Sequence, residues 1–131
     1  MMVFLVNVVL VALSVARADS SRSDEEIRLV ALRHARDVRS CYEHEGLRLD
    51  PRLAGTLEVE LTVSPSGRVE RATARPATLR GAGSIAVATC VTTVARNWRY
   101  EAGPYSREVI VYPFALARDV TDAVPTSGAA E

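Results

Sequence analysis

The stretch GTLEVELTVSPSGRV, residues 55–69, decides the fold because it contains a whole strand and the turn that follows it. Apolar residues occupy every second position from Leu57 to Val63, which predicts a strand over 56–64 with one buried and one solvated face. Ser64-Pro65-Ser66-Gly67 is typical of a turn, in which glycine can adopt a positive φ. We therefore expect residues 68–75 to return as a hairpin partner, with a bulge where their apolar alternation changes phase.

A first helix is predicted before this hairpin. Ser23-Asp24-Glu25-Glu26 forms a capping box, and Gly46 is expected to end the helix. At 100° per residue one face is largely apolar and includes Cys41. The members of that face are Ile27, Val30, Ala31, His34, Val38, Cys41 and Tyr42.

A second helix and a third strand are predicted after the hairpin. Gly81 and Gly83 precede the helix, and Ser84 is the expected N-cap. Residues 108–117 predict a strand that is apolar in both phases, and Pro113 within it favours a sheet edge or a bulge. The inner face of the helix consists of Val87, Cys90, Val91, Val94 and Trp98.

The order of elements is therefore α-β-β-α-β. It predicts an α+β fold in which two helices pack on one face of a three-stranded antiparallel sheet. Residues 19–118 form this domain, and residues 119–131, which are small, polar and without periodicity, are expected to be a disordered tail.

The first eighteen residues differ in composition from the rest of the chain. An apolar run over 3–16 precedes Ala16-Arg17-Ala18, which is an A-x-A cleavage pattern. The run is short for a membrane span and suits a secretory signal, so residues 1–18 are predicted to be a signal peptide cleaved near Ala18. The expected location is periplasmic or secreted; the alternative is an uncleaved membrane anchor.

Composition and charge restrict the classes of function. The 131 residues are 48% hydrophobic, enough for one modest core, and their formal net charge is zero. A neutral chain without a basic patch argues against binding to nucleic acid. The usual phosphate-binding, dinucleotide-binding, hydrolase and zinc-protease motifs do not occur, so we expect no enzyme, no cofactor and no small-molecule substrate.

Cys41 and Cys90 are the only cysteines, and both lie on predicted core faces. In an oxidising compartment they are expected to form a disulfide, which closes a loop of about 50 residues. Two buried free thiols are the alternative. A zinc site that also uses His34 and His44 is a weaker alternative, because these residues are spaced more loosely than the ligands of usual zinc sites, and no metal is expected. A thiol-dependent enzyme is weaker still, because both cysteines lie on core faces.

The ordered pieces of this sequence resemble the TonB C-terminal domain, and more closely the AgmX/PglI C-terminal domain family of myxobacterial gliding motility. The resemblance covers about residues 27–117. Arg99-Tyr100-Glu101 keeps the family's aromatic residue after the helix-end tryptophan and lacks its proline. The matching pieces are Cys41-Tyr42-Glu43, Gly55, Ser66-Gly67-Arg68-Val69, Cys90, Trp98 and Tyr112-Pro113-Phe114.

This resemblance implies a non-enzymatic domain that binds an envelope protein, or an extended peptide segment of one, by adding a strand to its edge strand. The expected binding strand consists of Glu108, Val109, Ile110, Val111 and Tyr112. The alternative is a structural subunit of an envelope or motility complex, with a homodimer formed through the same strand.

Overall fold

The computed structural model describes residues 21–118 and the backbone of 121–123; the predicted signal peptide lies outside these residues. The chain forms α1 (Asp24–Cys41), a π-helical turn (Tyr42–Gly46), β1 (Gly55–Val63), β2 (Val69–Pro76), α2 (Ser84–Ala95), β3 (Glu108–Leu116) and β4 (Thr121–Ala123). The predicted α+β class and the order α-β-β-α-β are confirmed.

The sheet is antiparallel throughout, in the order β2-β1-β3-β4. The predicted bulge is confirmed, because Thr62 lies opposite Arg71 and Val63 lies opposite Val69, which leaves Glu70 without a cross-strand residue. Side chains that alternate inward from the three long strands pack under the helices, and the opposite face of the sheet is solvated.

The fourth strand contradicts the predicted disordered tail (119–131) at residues 121–123. Thr121–Ala123 pairs with Phe114–Leu116, the last three residues of β3. The tail gave no signal because this pairing depends on main-chain groups that β3 presents at its outer side, and such groups leave no hydrophobic periodicity in the sequence. Residues 119–120 and 124–131 lie outside the described part of the chain.

The start of α1 was predicted correctly and the start of α2 was not. The Ser23 hydroxyl accepts a hydrogen bond from the Glu26 amide at 3.1 Å, as in a capping box. In α2 the N-cap is Gly83, with φ of 92°, and Ser84 is the first helical residue. A Cβ on Gly83 would lie 2.7 Å from the Gly46 carbonyl oxygen, so this close approach requires glycine.

The two helices are joined covalently. The predicted Cys41–Cys90 disulfide is confirmed, with the two Cα atoms 5.6 Å apart. Beneath it the core is built from aliphatic residues and a few aromatic ones. Its largest fully buried side chains are Tyr42, Phe114, Leu53, Leu57, Leu61, Leu79 and Leu116.

Candidate partner-binding site

The predicted binding strand lies in β3, between β1 and the short β4. β1 pairs with all nine residues of β3, from Glu108 to Leu116. β4 pairs with only the last three. Within the described part of the chain, the outer side of 108–113 therefore has no strand beside it.

The direction of the β3 amides follows from a hydrogen bond on the other side of the sheet. The Ala74 amide on β2 donates to the Thr92 Oγ1 atom of α2 at 2.9 Å, so it points away from β1. Ala74 and its cross-strand residue Val59 are thus a non-hydrogen-bonded pair, and Val59 turns its main-chain groups toward β3. Val59 lies opposite Tyr112, which is therefore bonded to β1.

Alternation then divides four of the five predicted site residues, those over 109–112, into two sets. Ile110 and Tyr112 direct their main-chain groups to β1 and their side chains into the core. Val109 and Val111 direct their N–H and C=O groups to the open side, and their side chains are 62% and 46% exposed on the solvated face. On the open side of 109–112, the N–H and C=O groups that point outward are therefore those of these two valines.

Pro113 fits this alternation. It pairs with Glu58 without a shift in register, so the bulge considered for it is absent from β3. Because it has the same phase as Val111, its nitrogen faces the open side and no bond to β1 is lost. The sheet-edge alternative for Pro113 is thus the one that fits, up to the point where β4 begins.

The other outer strand, β2, is covered. Helix α2 packs along it, and Thr92 accepts from the outward-facing Ala74 amide. The Thr92 hydroxyl in turn donates to the Ala88 carbonyl at 2.8 Å, which fixes its orientation. The two edges of the sheet thus differ. On β2, an outward-facing amide donates to a helix side chain, whereas residues 108–113 of β3 have no strand beside them among the residues described.

Helix α1 forms the wall above the open edge. Arg28, Leu32, Ala35 and Arg39 follow i, i+4, i+7, i+11 spacing and lie on one side of the helix. Arg39 identifies this side as the one toward the end of β3, since it donates to the Arg118 carbonyl at 3.4 Å. Leu32 is 42% exposed there and offers an apolar contact.

Tyr112 adds a polar group below this wall. Its ring is 2% exposed, and its hydroxyl has no hydrogen-bond partner among the described residues. Burial raises the pKa of the Tyr112 phenol, and the positive charge of Arg28 opposes this rise. The hydroxyl is therefore a neutral donor beside the open strand.

The solvated face next to the valines is held by ion pairs. Arg107, just before β3, donates to Glu70 on β2 at 3.0 Å, and Arg75 pairs with Glu58. The hydrogen bond from Arg107 lowers the pKa of the exposed Glu70 carboxyl. Val109 and Val111 form a small apolar patch on the same solvated face as these ion pairs.

Comparisons with known proteins give no match. No protein-family model, no curated protein and no solved structure is matched by this chain. In residues 21–118 and 121–123, no helix is long and apolar enough to cross a membrane.

Sequence reasoning missed Arg22, whose side chain is 0% exposed. Its guanidinium donates to Glu108 at 3.2 Å and to the Glu101 carbonyl at 2.7 Å, and it lies 4.3 Å from the centre of the Tyr105 ring. The Arg22 amide also donates to the Glu108 carboxylate at 3.3 Å. This cluster ties the segment before α1 to the first residue of β3. A single arginine in a polar segment gives no sequence signal of such burial.

His34 is a half-buried residue of α1. Its ring stacks on Trp98 with 4.8 Å between centroids, and Asp37 accepts from the Trp98 indole at 3.1 Å while lying 3.5 Å from the His34 Nδ1 atom. Burial lowers the pKa of His34, and Asp37 opposes this effect.

The residues considered for zinc are not assembled into a site. Both cysteines are bonded to each other, and His44 contacts the Ser40 hydroxyl at 3.1 Å. Residues 21–118 contain no group of three or more histidine, cysteine or acidic side chains placed to hold a metal ion.

Proposed function

We propose that this chain is an exported, non-enzymatic partner-binding domain of the TonB C-terminal type, of the AgmX/PglI branch. It binds an extended segment of an envelope protein along the outer side of β3, at Glu108–Tyr112. The observation that supports this most strongly is that the main-chain groups of Val109 and Val111 face a side of the sheet where no strand lies beside them among the residues that the structure describes.

Export accounts for the disulfide. Disulfides persist in oxidising compartments outside the cytoplasm, and Cys41–Cys90 is such a bond. Cleavage of the predicted signal near Ala18 then leaves the domain in the periplasm or outside the cell.

Strand addition fits the chemistry of this edge. Two residues with outward N–H and C=O groups can exchange up to four hydrogen bonds with an incoming strand. Residues of that strand beside Val109 and Val111 would be apolar or β-branched, because cross-strand pairs of this kind are favourable. Residues on its other side would face α1, where the exposed Leu32 offers an apolar contact.

The first step of the test identifies the segment. A photo-crosslinking residue is placed at Val111 and, as a control, at Thr73, which is exposed on the same face of the sheet but on β2. We expect an adduct with an envelope protein from position 111 and none from position 73. Equal labelling from both positions would contradict the proposal, and an adduct with a second copy of this chain would favour the assembly alternative.

The second step measures binding with a synthetic peptide of the captured segment. Val111→Pro removes an outward N–H without removing a bond to β1, whereas Val111→Thr keeps the N–H and the shape of the side chain. We expect the peptide to shift the Val109 and Val111 amide resonances, and affinity to be lost in Val111→Pro and kept in Val111→Thr. Shifts confined to the helices would sink the proposal.

A further inference from the structure

Helix α1 and strand β3 run side by side in the same direction. Just before the helix, the Arg22 guanidinium donates to the first residue of β3, Glu108, at 3.2 Å. Near its end, Arg39 donates at 3.4 Å to a carbonyl that lies just past β3. From Arg22 to Arg28 the chain advances about 10 Å, which corresponds to about three residues of strand. Arg28 therefore lies level with 110–112, where no described strand adjoins the outer side of β3.

The Arg28 side chain is directed toward this stretch of β3. It shares a side of α1 with Arg39, whose contact past the end of β3 identifies that side. Its positive charge also acts on the phenol of Tyr112, where it opposes the rise in pKa that burial causes. Since the Tyr112 side chain is buried on the face of the sheet that packs under the helices, the Arg28 guanidinium lies on that same face.

Arg28 is the cation on this side of α1 whose charge is not already paired. Arg39 pairs with Glu43 at 3.1 Å. Among the residues that the structure describes, Arg28 forms no ion pair, and it is exposed. A guanidinium can bind a carboxylate through two parallel N–H groups, so Arg28 is suited to an acidic side chain that arrives at the edge.

A strand added along 109–112 would present every second side chain to α1. Residues of that strand opposite Ile110 and Tyr112 have their side chains on the α1 face of the sheet, and their neighbours have theirs on the solvated face. An acidic side chain at one of these positions would meet Arg28. An apolar side chain further along the helix would meet Leu32, which is 42% exposed.

We infer that the segment bound at the open edge carries an acidic residue on its α1-facing side, and that Arg28 binds its carboxylate. The inference rests on the proposed function and specifies the partner further: it is an extended segment in which an acidic residue stands between apolar or β-branched ones. The chain has no net charge, so this preference comes from the position of one cation rather than from a general field.

The first test uses a displayed library of random nonapeptides, sorted for binding to the purified chain. Edge binders are those that are lost with Val111→Pro and kept with Val111→Thr. We expect them to share an aspartate or glutamate flanked by apolar residues. Arg28→Glu should change this preference to lysine or arginine. Arg36→Glu is the control, because it makes the same change in net charge at another exposed position, about 80° further around α1, and should leave the acidic preference intact.

The second test measures the size of the effect. One selected peptide is compared with its amide analogue, in which asparagine or glutamine replaces the acid. Arg28→Gln should weaken binding of the acidic peptide by about fivefold and leave the affinity of the amide peptide unchanged. The effect on the acidic peptide should shrink as salt is added, because the pair lies at an exposed edge.

The results separate this inference from the proposed function. Edge binders without an acidic preference would overturn the role of Arg28 and leave strand addition standing, and so would equal effects of Arg28→Glu and Arg36→Glu. A library that yields no binder sensitive to Val111→Pro would contradict the proposed function, and the inference would fall with it.

Discussion

Arg22 shows that one buried side chain can hold several segments of a small domain together. Its buried guanidinium contacts a carboxylate, two backbone carbonyls and two aromatic rings, and so joins the segment before α1, the turn after β1 and the loop before β3. A cation this enclosed is tolerated only because donors and acceptors surround it. No periodicity marks it, so only the structure reveals this contact.

Replacing Arg22 with alanine should therefore be costly. It would leave Glu108, 3.2 Å from the guanidinium, and Glu26, 3.9 Å from it, without their cation. Breaking a largely buried pair costs about 3 kcal/mol or more of unfolding free energy. Urea unfolding checks this, with Arg107→Ala as the control, because Arg107 belongs to an exposed pair that contributes little. Similar stability losses in the two variants would contradict the role assigned to Arg22.

His34 gives a prediction about pH. Since burial holds its folded pKa below the ordinary value of 6.5, the unfolded chain binds the proton more readily. The stability contributed by neutral His34 is therefore complete above 6.5 and is lost as pH falls through the lower folded pKa. An NMR titration should place the His34 pKa below 6.5.

A matched pair of variants separates this effect from the carboxylates. His34→Gln should reduce the dependence of the unfolding free energy on pH just below neutrality, while His44→Gln should leave it intact. A His34 pKa at or above its ordinary value would show that the Asp37 contribution outweighs burial.

At the scale of elements, sequence reasoning succeeded where buried residues recur with the period of a strand or a helix. It failed where a single main-chain contact determines where an element begins or whether it forms. The alternation over 56–64 predicted β1, and the helical stripes placed Cys41 and Cys90 on core faces, between which the disulfide forms. The N-cap of α2 was missed because the need for Gly83 arises from Gly46, which is distant in sequence. β4 was missed because its pairing depends on an edge made elsewhere.

The candidate site was only partly accessible to sequence reasoning. The binding segment 108–112 could be predicted from Pro113 and the family resemblance. The sequence could not predict which of its residues direct their main-chain groups outward, because this depends on the register of β1 with β2 and with β3.

The protection of β2 by α2 makes a prediction of its own. Thr92→Val should leave the Ala74 amide without its acceptor and cost about 1–3 kcal/mol of unfolding free energy. Thr93→Val is the matched control, since the exposed Thr93 hydroxyl bonds only to the Thr89 carbonyl of its own helix. Hydrogen exchange of the Ala74 amide should accelerate in Thr92→Val alone; unchanged exchange would mean that this contact does not seal β2.

At the scale of the whole molecule, one covalent bond closes the fold. The disulfide spans 49 positions and joins the C-terminal end of α1 to α2, over the core that the sheet completes. In the chain-entropy view such a loop contributes roughly 4 kcal/mol, a large share of the stability of a small domain.

Reduction should therefore lower the midpoint of urea unfolding strongly. The double variant Cys41→Ala/Cys90→Ala should resemble the reduced protein and be insensitive to reductant. An unchanged midpoint in a sample whose two thiols are shown to be free would contradict this account of stability.

The central claim is that β3 presents two outward main-chain positions to a binding strand. Amide exchange over 109–112, measured by NMR on the purified chain, tests it most directly. Fast exchange at Val109 and Val111 with slow exchange at Ile110 and Tyr112 is the predicted result. Equal protection of all four amides would contradict it, because the outer side of β3 would then be covered.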